Sequence, residues 1–397
     1  MKVLQINSVC GYGSTGRIAV DLYKILEEQG HECLIAYGRG TAPKGINTIK
    51  IGTNLDNNMH VIKTRLFDNH GFASIKATKE FIKKSKEYNP DIIHLHNIHG
   101  YYINIELLFK YLKEVNKPVI WTLHDCWAFT GHCTYFDYID CEKWKKGCYE
   151  CPQKKEYPKS LFREDSKKNY SSKKSIFTGI ENLTIVTPSK WLAGLVKDSF
   201  LNVYAIKVIN NGIDLKMFQP TKSNFRKKYN LINKFIILGV ANIWDKRKGY
   251  DYFIKLSEKL KHDEIIVLVG LSKKQKSDLP CNILGITRTN STKELAEIYS
   301  NSDIFVNPTL EDNFPTTNLE ALACGKYVIT FNAGGSGESI DEECGTIVEK
   351  GNVSELYDAI LEFKNIGVTK NKCINRATLY DKTSRFEEYL NLYFSIE

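Results

Sequence analysis

Between Pro308 and Gly325 the chain reads Pro-Thr-Leu-Glu-Asp-Asn-Phe-Pro-Thr-Thr-Asn-Leu-Glu-Ala-Leu-Ala-Cys-Gly. An apolar run ends at Val306, a polar acidic loop follows, and a helical pattern begins at about Pro315 or Thr316, where the missing N–H of proline costs nothing in a first turn. Such a start turns the N–H groups of Thr316 and Thr317, and two hydroxyls, toward an anion. Glu320 lies one turn further in. A carboxylate there can accept both hydrogen bonds of a ribose diol; the plainer role is a cap or ion pair on the helix. Upstream, Arg247-Lys248-Gly249 sets two cations at another helix start, where the helix dipole disfavours them. Cations held beside a departing diphosphate would stabilise the transition state more than the ground state; ordinary surface charge is the alternative.

A second set of candidates lies in the first half. Gly11-Tyr12-Gly13-Ser14-Thr15-Gly16 follows the first apolar run and opens a helical pattern, which fits a dinucleotide-type phosphate loop with Gly13, Ser14 and Gly16 near the ligand. A glycine turn needed only for strand-to-helix packing explains it as well. The next run closes on Tyr37-Gly38-Arg39-Gly40, with no acidic residue for an NAD ribose. Arg39 would suit an NADP phosphate instead, so an NADP-dependent oxidoreductase stays open. His124 closes another buried-type run, where a lone histidine is often only a satisfied structural one. Cys133, Cys141, Cys148 and Cys151 cluster in a polar, aromatic loop beside His132. Four cysteines ending in Cys-x-x-Cys are more readily a structural zinc site than disulfides in a reducing compartment. Four thiolates leave the metal no open position for chemistry.

Some chemistries are absent from the sequence. It contains no Asp-x-Asp, the motif that holds a divalent metal on a nucleotide sugar, so no catalytic cofactor is expected and cations and helix starts must do that work. No Ser-His-Asp or Cys-His arrangement stands out by spacing, nor does a carboxylate pair of glycosidase type. The chain has 397 residues, 42% hydrophobic and 25% charged, and a net charge of +9, a balance typical of a globular protein with room for two domains. The lysine runs at 143–146 and 167–174 could favour anionic lipid or substrate, although solvated faces explain them too. No zinc-finger spacing, helix-turn-helix or aromatic-basic platform suggests nucleic acid. The N-terminus lacks the pattern of a signal peptide and no stretch reaches the roughly 18 apolar residues that span a bilayer, so a cytoplasmic location is expected, with peripheral attachment at the inner membrane face open. Of the eleven cysteines, the seven outside the cluster read as small buried hydrophobes.

Positioning these groups requires alternating strands and helices. Strands are expected at 3–6, 33–37, 92–95, 119–123 and 183–187, with a helix at 17–29. Turn signals at 208–220 mark a break. After it come strands at 235–240, 265–269, near 283, at 304–306 and at 327–331, interleaved with helices at 250–260, 293–300 and 316–324. Short apolar runs separated by helices predict parallel sheets: an α/β chain of two doubly wound, Rossmann-like domains facing a cleft.

The 308–325 segment is similar to the signature of glycosyltransferase family 4, where an acidic residue, seven others and a glutamate precede Ala-x-Ala-x-Gly. Asn211-Gly212-Ile213-Asp214 with Phe218 and Pro220, Arg247-Lys248-Gly249, Thr122-Leu123-His124-Asp125, and Gly334-Gly335 with Glu338 resemble further family motifs. His94-Leu95-His96-Asn97-Ile98-His99-Gly100 resembles the exopolysaccharide and capsule branch. The likeness covers nearly the whole chain. It implies the GT-B fold: an acceptor-side domain over 1–205, with the terminal helix in 380–397 crossing back onto it, and a nucleotide-sugar domain over 206–379. It also implies transfer of a sugar, with retention, from a nucleotide-diphosphate sugar to a glycan or lipid-linked acceptor. By the same likeness His124, Arg247, Lys248 and Asp312 are catalytic, and Glu311, Phe314, Thr316, Thr317 and Glu320 hold the donor. The hinge near Asn211 closes the site. The sequence departs from the family twice. Register puts Asp312 where a glutamate is usual, with Glu311 one residue earlier, so either carboxylate could face the sugar. Ala241-Asn242 replaces the usual Gly-Arg, so Arg247 supplies the guanidinium. An inactive nucleotide-sugar-binding protein is the further alternative.

Overall fold

Runs rich in Val, Ile and Leu become the centres of two all-parallel sheets. The computed structural model describes residues 1–367 and 369–396. The chain divides into one unit of Met1–Ile209 with Phe386–Glu397 and a second of Asn210–Arg385. The first unit holds β1 (Lys2–Val9), β2 (Glu32–Arg39), β3 (Thr48–Lys50), β4 (Ile92–Leu95), β5 (Val119–Thr122), β6 (Leu183–Thr187) and β7 (Ala205–Val208), in the order β3-β2-β1-β4-β5-β6-β7. The second holds β8 (Phe235–Val240), β9 (Glu264–Val269), β10 (Ile283–Ile286), β11 (Ile304–Asn307), β12 (Tyr327–Phe331) and β13 (Gly345–Val348), in the order β10-β9-β8-β11-β12-β13. Neighbouring strands pair in parallel, with Val3 opposite both Cys33 and Ile92, and Ile304 opposite both Ile237 and Tyr327.

Helices cover both faces of a doubly wound sheet, so central strands bury every residue, as β4, β5 and β11 do. In the first unit Leu4, Ile6, Leu95, Trp121 and Phe177 belong to one apolar cluster, and Val3, Ile35, Ile120, Tyr389 and Tyr393 to another. The alternation of Val3 and Leu4 between clusters is the period-two pleat of β1. The helix Lys382–Ile396 brings Tyr389 and Tyr393 into the second cluster. In the second unit Leu238, Val267, Phe305, Leu319 and Val328 form the core.

These orders place a topological switch point between β1 and β4 in one unit and between β8 and β11 in the other. Ligands bind outside the carboxyl ends of strands at such points.

Several expectations need correcting. The domain boundary expected at 205/206 falls inside β7, an exposed edge strand whose Lys207 breaks the apolar run. Strands β3 and β13 escaped the sequence reading because each is short and incompletely buried. Pro315 is the residue before the helix Thr316–Ala323, not its first. Cys281 is exposed, on the loop before β10. Lys173, inside a run read as solvated, is 1% exposed.

Candidate functional site

In the second unit the groups singled out by sequence gather at the carboxyl ends of β8 and β11. The loop after β8 turns at Gly249, whose φ is +81° and where a Cβ would stand 2.0 Å from the carbonyl oxygen of Pro308. Only glycine permits that approach, and it locks the two loops together. The Leu310 N–H donates to the Arg247 carbonyl at 2.7 Å, and Arg247 Nη1 returns a bond to the Glu311 carbonyl at 2.7 Å. Lys248 Nζ donates to Asp312 Oδ2. Burial pushes the Asp312 carboxyl up, but the charges of Lys248 and Arg247 and the hydrogen bond from Lys248 outweigh it and hold the group below the ordinary carboxylate range. Gly334 and Gly335 support the same residue: the Gly335 N–H donates to the Asp312 carbonyl at 2.9 Å, and Gly334 (φ +60°) leaves no room for a Cβ beside that oxygen.

The helix Thr316–Ala323 starts with no side-chain cap, so its first N–H groups are offered at the loop. Thr316 and Thr317 are half-buried. Glu320 is buried, and its Oε2 accepts from the Tyr299 hydroxyl at 2.9 Å. Asn318 ties the helix to β11 and to the next loop: its Oδ1 accepts from Asn307 Nδ2 at 2.8 Å, and its Nδ2 donates to the Ser336 carbonyl at 2.9 Å. Two expected donor contacts sit inward. Phe314 is 3% exposed and packs 5.5 Å from the Tyr380 ring, because an aromatic side chain in this loop gains more from the core; its carbonyl accepts from Asn211 Nδ2 at 3.1 Å. The Glu311 side chain is fully buried, whereas that of Asp312 keeps 14% exposure, so of the two carboxylates Asp312 is the one a ligand can reach.

In the first unit the loop after β1 holds Gly13, where the helix Gly13–Glu28 begins, exposed Ser14 and buried Gly16, whose carbonyl accepts from the Gly11 N–H at 2.9 Å. Gly16 packs on Val9, so it serves strand-to-helix packing. Arg39 lies over the Tyr101 ring at 5.8 Å.

Across the ends of β4 and β5 runs a chain of neutral polar groups. Gln5 spends its amide nitrogen on the Ala19 carbonyl (3.0 Å) and Cys33 Sγ (3.3 Å), which aims its oxygen at His96 Nε2, 3.0 Å away. His96 must therefore carry its proton on Nε2 and accept at Nδ1. The partner of that Nδ1 is His124 Nε2 at 3.2 Å, which must donate. His124 thus keeps an acceptor lone pair on Nδ1. Burial holds His124 down to about 4 and His94 to about 3, and pushes His96 well below the usual imidazole range, so all three are neutral at pH 7. His94 bridges the Tyr393 hydroxyl (2.6 Å) and Thr122 Oγ1 (2.8 Å). His99 bonds Asp125 Oδ2 at 2.8 Å and the Tyr157 hydroxyl at 3.2 Å; Asn97 donates its N–H to Asn7 Oδ1 at 3.3 Å. The sequence did not point to Gln5, Tyr299 or Tyr393 as partners; only a register assignment across strands could have found Gln5.

The cysteine loop is separate from these. Cys133, Cys141, Cys148 and Cys151 line one small cavity and are free thiols. Gly131 donates its N–H to Cys148 Sγ at 3.1 Å. Among the described residues no three His, Cys, Asp or Glu side chains are gathered as a metal site requires. An 820 Å³ cavity lined by Pro118, Leu183 and Ala205 lies at the amino ends of β5–β7, opposite the end where such sheets bind ligands.

Comparison with known proteins bears on both units. The sequence profile of Glycosyltransferase Family 4 matches residues 15–217, and that of Glycosyl transferases group 1 matches residues 234–365. The colanic acid biosynthesis glycosyl transferase WcaC of Escherichia coli K12 is 24% identical over 420 residues, covering 99% of each chain. The N,N'-diacetylbacillosaminyl-diphospho-undecaprenol alpha-1,3-N-acetylgalactosaminyltransferase of Campylobacter jejuni is 29% identical over 197 residues, 46% of this chain and 52% of that one. Among solved structures, sucrose-phosphate synthase from Thermosynechococcus elongatus superposes with a TM-score of 0.73 at 16% identity, over 100% of this chain and 98% of that one. HepE from Anabaena in complex with UDP gives 0.71 at 15% identity over the whole of both chains. At such identities the structural likeness speaks for the fold alone. These relatives give the oxidoreductase alternative no support.

Proposed function

This chain belongs to glycosyltransferase family 4 and is a glycosyltransferase of the GT-B fold, and we propose that it takes a sugar from a nucleoside-diphosphate donor, with retention, in the assembly of a bacterial surface polysaccharide or glycoconjugate. The observation that carries the reading is the meeting of Lys248, Asp312 and the uncapped start of the helix Thr316–Ala323 at one switch point. The diphosphate is held by the first N–H groups of that helix and by Lys248, the ribose by Glu320, and Asp312 orients Lys248 and reaches the donor sugar. Arg247 braces the loop through the Glu311 carbonyl and adds positive charge. In the first unit Nδ1 of His124 accepts a hydrogen bond from a sugar hydroxyl.

The reaction then needs no enzyme nucleophile. The acceptor hydroxyl attacks the anomeric carbon from the face the diphosphate leaves. The bond between that carbon and the diphosphate oxygen breaks, and the departing oxygen takes the acceptor's proton. Charge grows on the leaving group, where Lys248 and the helix start already stand, so stabilisation falls on the transition state. The acceptor is a glycan or a lipid-linked glycan, a class supported by the relative from Campylobacter jejuni. A cytoplasmic location belongs to the same proposal. A structural zinc on the four clustered cysteines also stays a proposal, supported by their shared cavity.

The test is nucleotide binding. In thermal-shift titrations with UDP, GDP and ADP, one nucleotide should stabilise the protein. Glu320→Ala should weaken it by about 10- to 100-fold, the worth of a hydrogen-bond pair to a charged group. Unaltered affinity in a folded Glu320→Ala protein would remove the ribose assignment.

A further inference from the structure

The helix Asn54–Phe67 is inside out. Its buried positions are polar: Asn57, His60 and Thr64. Its apolar side chains face solvent: Leu55, Met59, Ile62 and Leu66 are 71%, 45%, 48% and 37% exposed. These four recur at i, i+4, i+7 and i+11, so they form one stripe along the helix. The helix cannot rotate to hide them. Asn57 Nδ2 donates to the Gly38 carbonyl at 2.9 Å, His60 Nε2 accepts from the Gly71 N–H at 3.1 Å, and His60 Nδ1 meets Ser74 Oγ at 2.8 Å.

The apolar face extends past the helix. Phe67 is 43% exposed and Phe162 71%. The segment bearing Phe162 is tied to the helix end by the Leu161 N–H, which donates to the Arg65 carbonyl at 2.7 Å. The Arg163 guanidinium lies over the Phe67 ring at 5.6 Å. At 3.6 residues per turn, exposed Lys63 and Arg65 flank the stripe on opposite sides, where long side chains can lie along apolar surface and lift their charges to a polar layer. Nearby acidic groups are spent on backbone: Asp56 caps the helix through the Thr53 N–H and hydroxyl, and Glu164 accepts the N–H groups of Glu150, Cys151 and Ser166.

A ridge of exposed large apolar side chains with cations on both flanks is complementary to a surface that is apolar beneath an anionic layer. We propose that this face of the first unit docks on an anionic lipid membrane, with Leu55, Met59, Ile62, Leu66 and Phe162 entering the acyl boundary and Lys63, Arg65 and Arg163 meeting lipid phosphates. The attachment lies on the membrane; among the described residues no helix is long and apolar enough to cross it. The surface differs from the lysine runs the sequence suggested and shares no residue with the proposed transfer site.

The test uses the full chain in co-sedimentation with vesicles of phosphatidylcholine alone or mixed with phosphatidylglycerol. Binding should require the anionic lipid and weaken as salt rises. Ile62→Glu with Leu66→Glu, both at exposed positions, should raise the lipid concentration for half-binding at least about tenfold, from lost burial and added negative charge, while nucleotide-induced thermal stabilisation stays native. Lys63→Glu with Arg65→Glu should weaken binding at low salt and little at high salt. Vesicle binding that survives Ile62→Glu with Leu66→Glu, or equal binding to neutral vesicles, overturns the proposal. So does a concentration-dependent dimer in light scattering that this double variant abolishes, because a second copy would then cover the face. Loss of nucleotide binding in the native chain would instead count against the transferase site alone.

Discussion

The two switch points hold polar groups in opposite electrical states. At the carboxyl ends of β8 and β11, Lys248 and Asp312 are charged and paired, and a helix start without a side-chain cap adds its partial positive charge. At the ends of β4 and β5, three histidines are uncharged, His94 and His96 buried and His124 half-buried, each committed to a hydrogen-bond partner. In the function proposed above, one doubly wound architecture carries an anion site in one unit and a hydroxyl-reading site in the other. The difference comes from what lines the loops: cations fixed by an ion pair, a backbone carbonyl and glycine contacts on one side, imidazoles desolvated by burial on the other. The largest expected effects should come from disturbing charge, and smaller ones from disturbing tautomers.

Lys248→Ala should therefore hurt most. Removing one preorganised charge that meets a developing oxyanion costs about 10²–10³-fold in turnover, while affinity for the nucleoside diphosphate should fall much less. The variant also leaves Asp312 beside a site for anions, so its carboxyl should titrate higher than in the native protein. Steady-state release of nucleoside diphosphate, compared with nucleotide binding by calorimetry, separates the two quantities. A near-native rate would mean that Lys248 only braces the loop.

The histidine chain sharpens the other half of the comparison. His96→Leu takes away the acceptor for His124 Nε2–H and frees the imidazole to exchange tautomers, so turnover should drop by roughly tenfold, the scale of one lost hydrogen bond. Since His124 is held to about 4, the native rate should show no histidine break between pH 5 and 7. Stability behaves differently. A free imidazole titrates near 6.5, whereas folded His94 is held to about 3. Between those values the unfolded chain holds a proton that the folded chain does not. Stability should be full above pH 6.5 and fall by about 1.4 kcal/mol per pH unit for each such histidine as the pH drops toward 4. Urea unfolding at pH 7, 6 and 5 measures it; a flat profile would mean that these histidines charge inside the fold.

The charged half was easier to read in the sequence than the neutral half, and the reason is geometric. Pro308 to Glu320 lie on one continuous strand–loop–helix, so residue order alone brings Asp312, Thr316, Thr317 and Glu320 together, and Arg247-Lys248-Gly249 is a local pattern. The histidine chain joins Gln5, His96, His124 and, beyond His94, Tyr393, which lie on different strands and on the final helix; only strand register unites them. Central strands were legible because burial on both faces makes them uniformly apolar. Edge strands β3, β7 and β13 were not, because they mix in polar or exposed residues. In the helix Asn54–Phe67 periodicity points to the wrong face: its apolar stripe has helical spacing but faces solvent, and polar Asn57, His60 and Thr64 are buried.

Removing a metal should change the rate least. The four cysteines lie further along the connection that follows β5 and His124, in a segment that carries groups that make sense around an ion. Cys148 already accepts an N–H from Gly131, the kind of bond that supports a metal thiolate. His132 Nε2 is buried without a hydrogen-bond partner, while its Nδ1 is held by Asp68 Oδ1 at 2.5 Å. Lys173 Nζ, buried against the carbonyls of Trp127 and Thr130 and held down to about 7 by that burial, would when protonated offset one of the two net negative charges of a zinc tetrathiolate. The four sulfurs must close around the ion, because they are not gathered as a site in the arrangement seen here, and zinc binding would release the thiol protons to solvent. Metal analysis of purified protein should find about one zinc per chain, the full occupancy of one four-thiolate site. Stripping it with a chelator should lower the unfolding midpoint by about 5 °C or more and leave nucleotide affinity intact. Protein that carries less than about half an equivalent while all four thiols react freely would show that packing alone holds the loop.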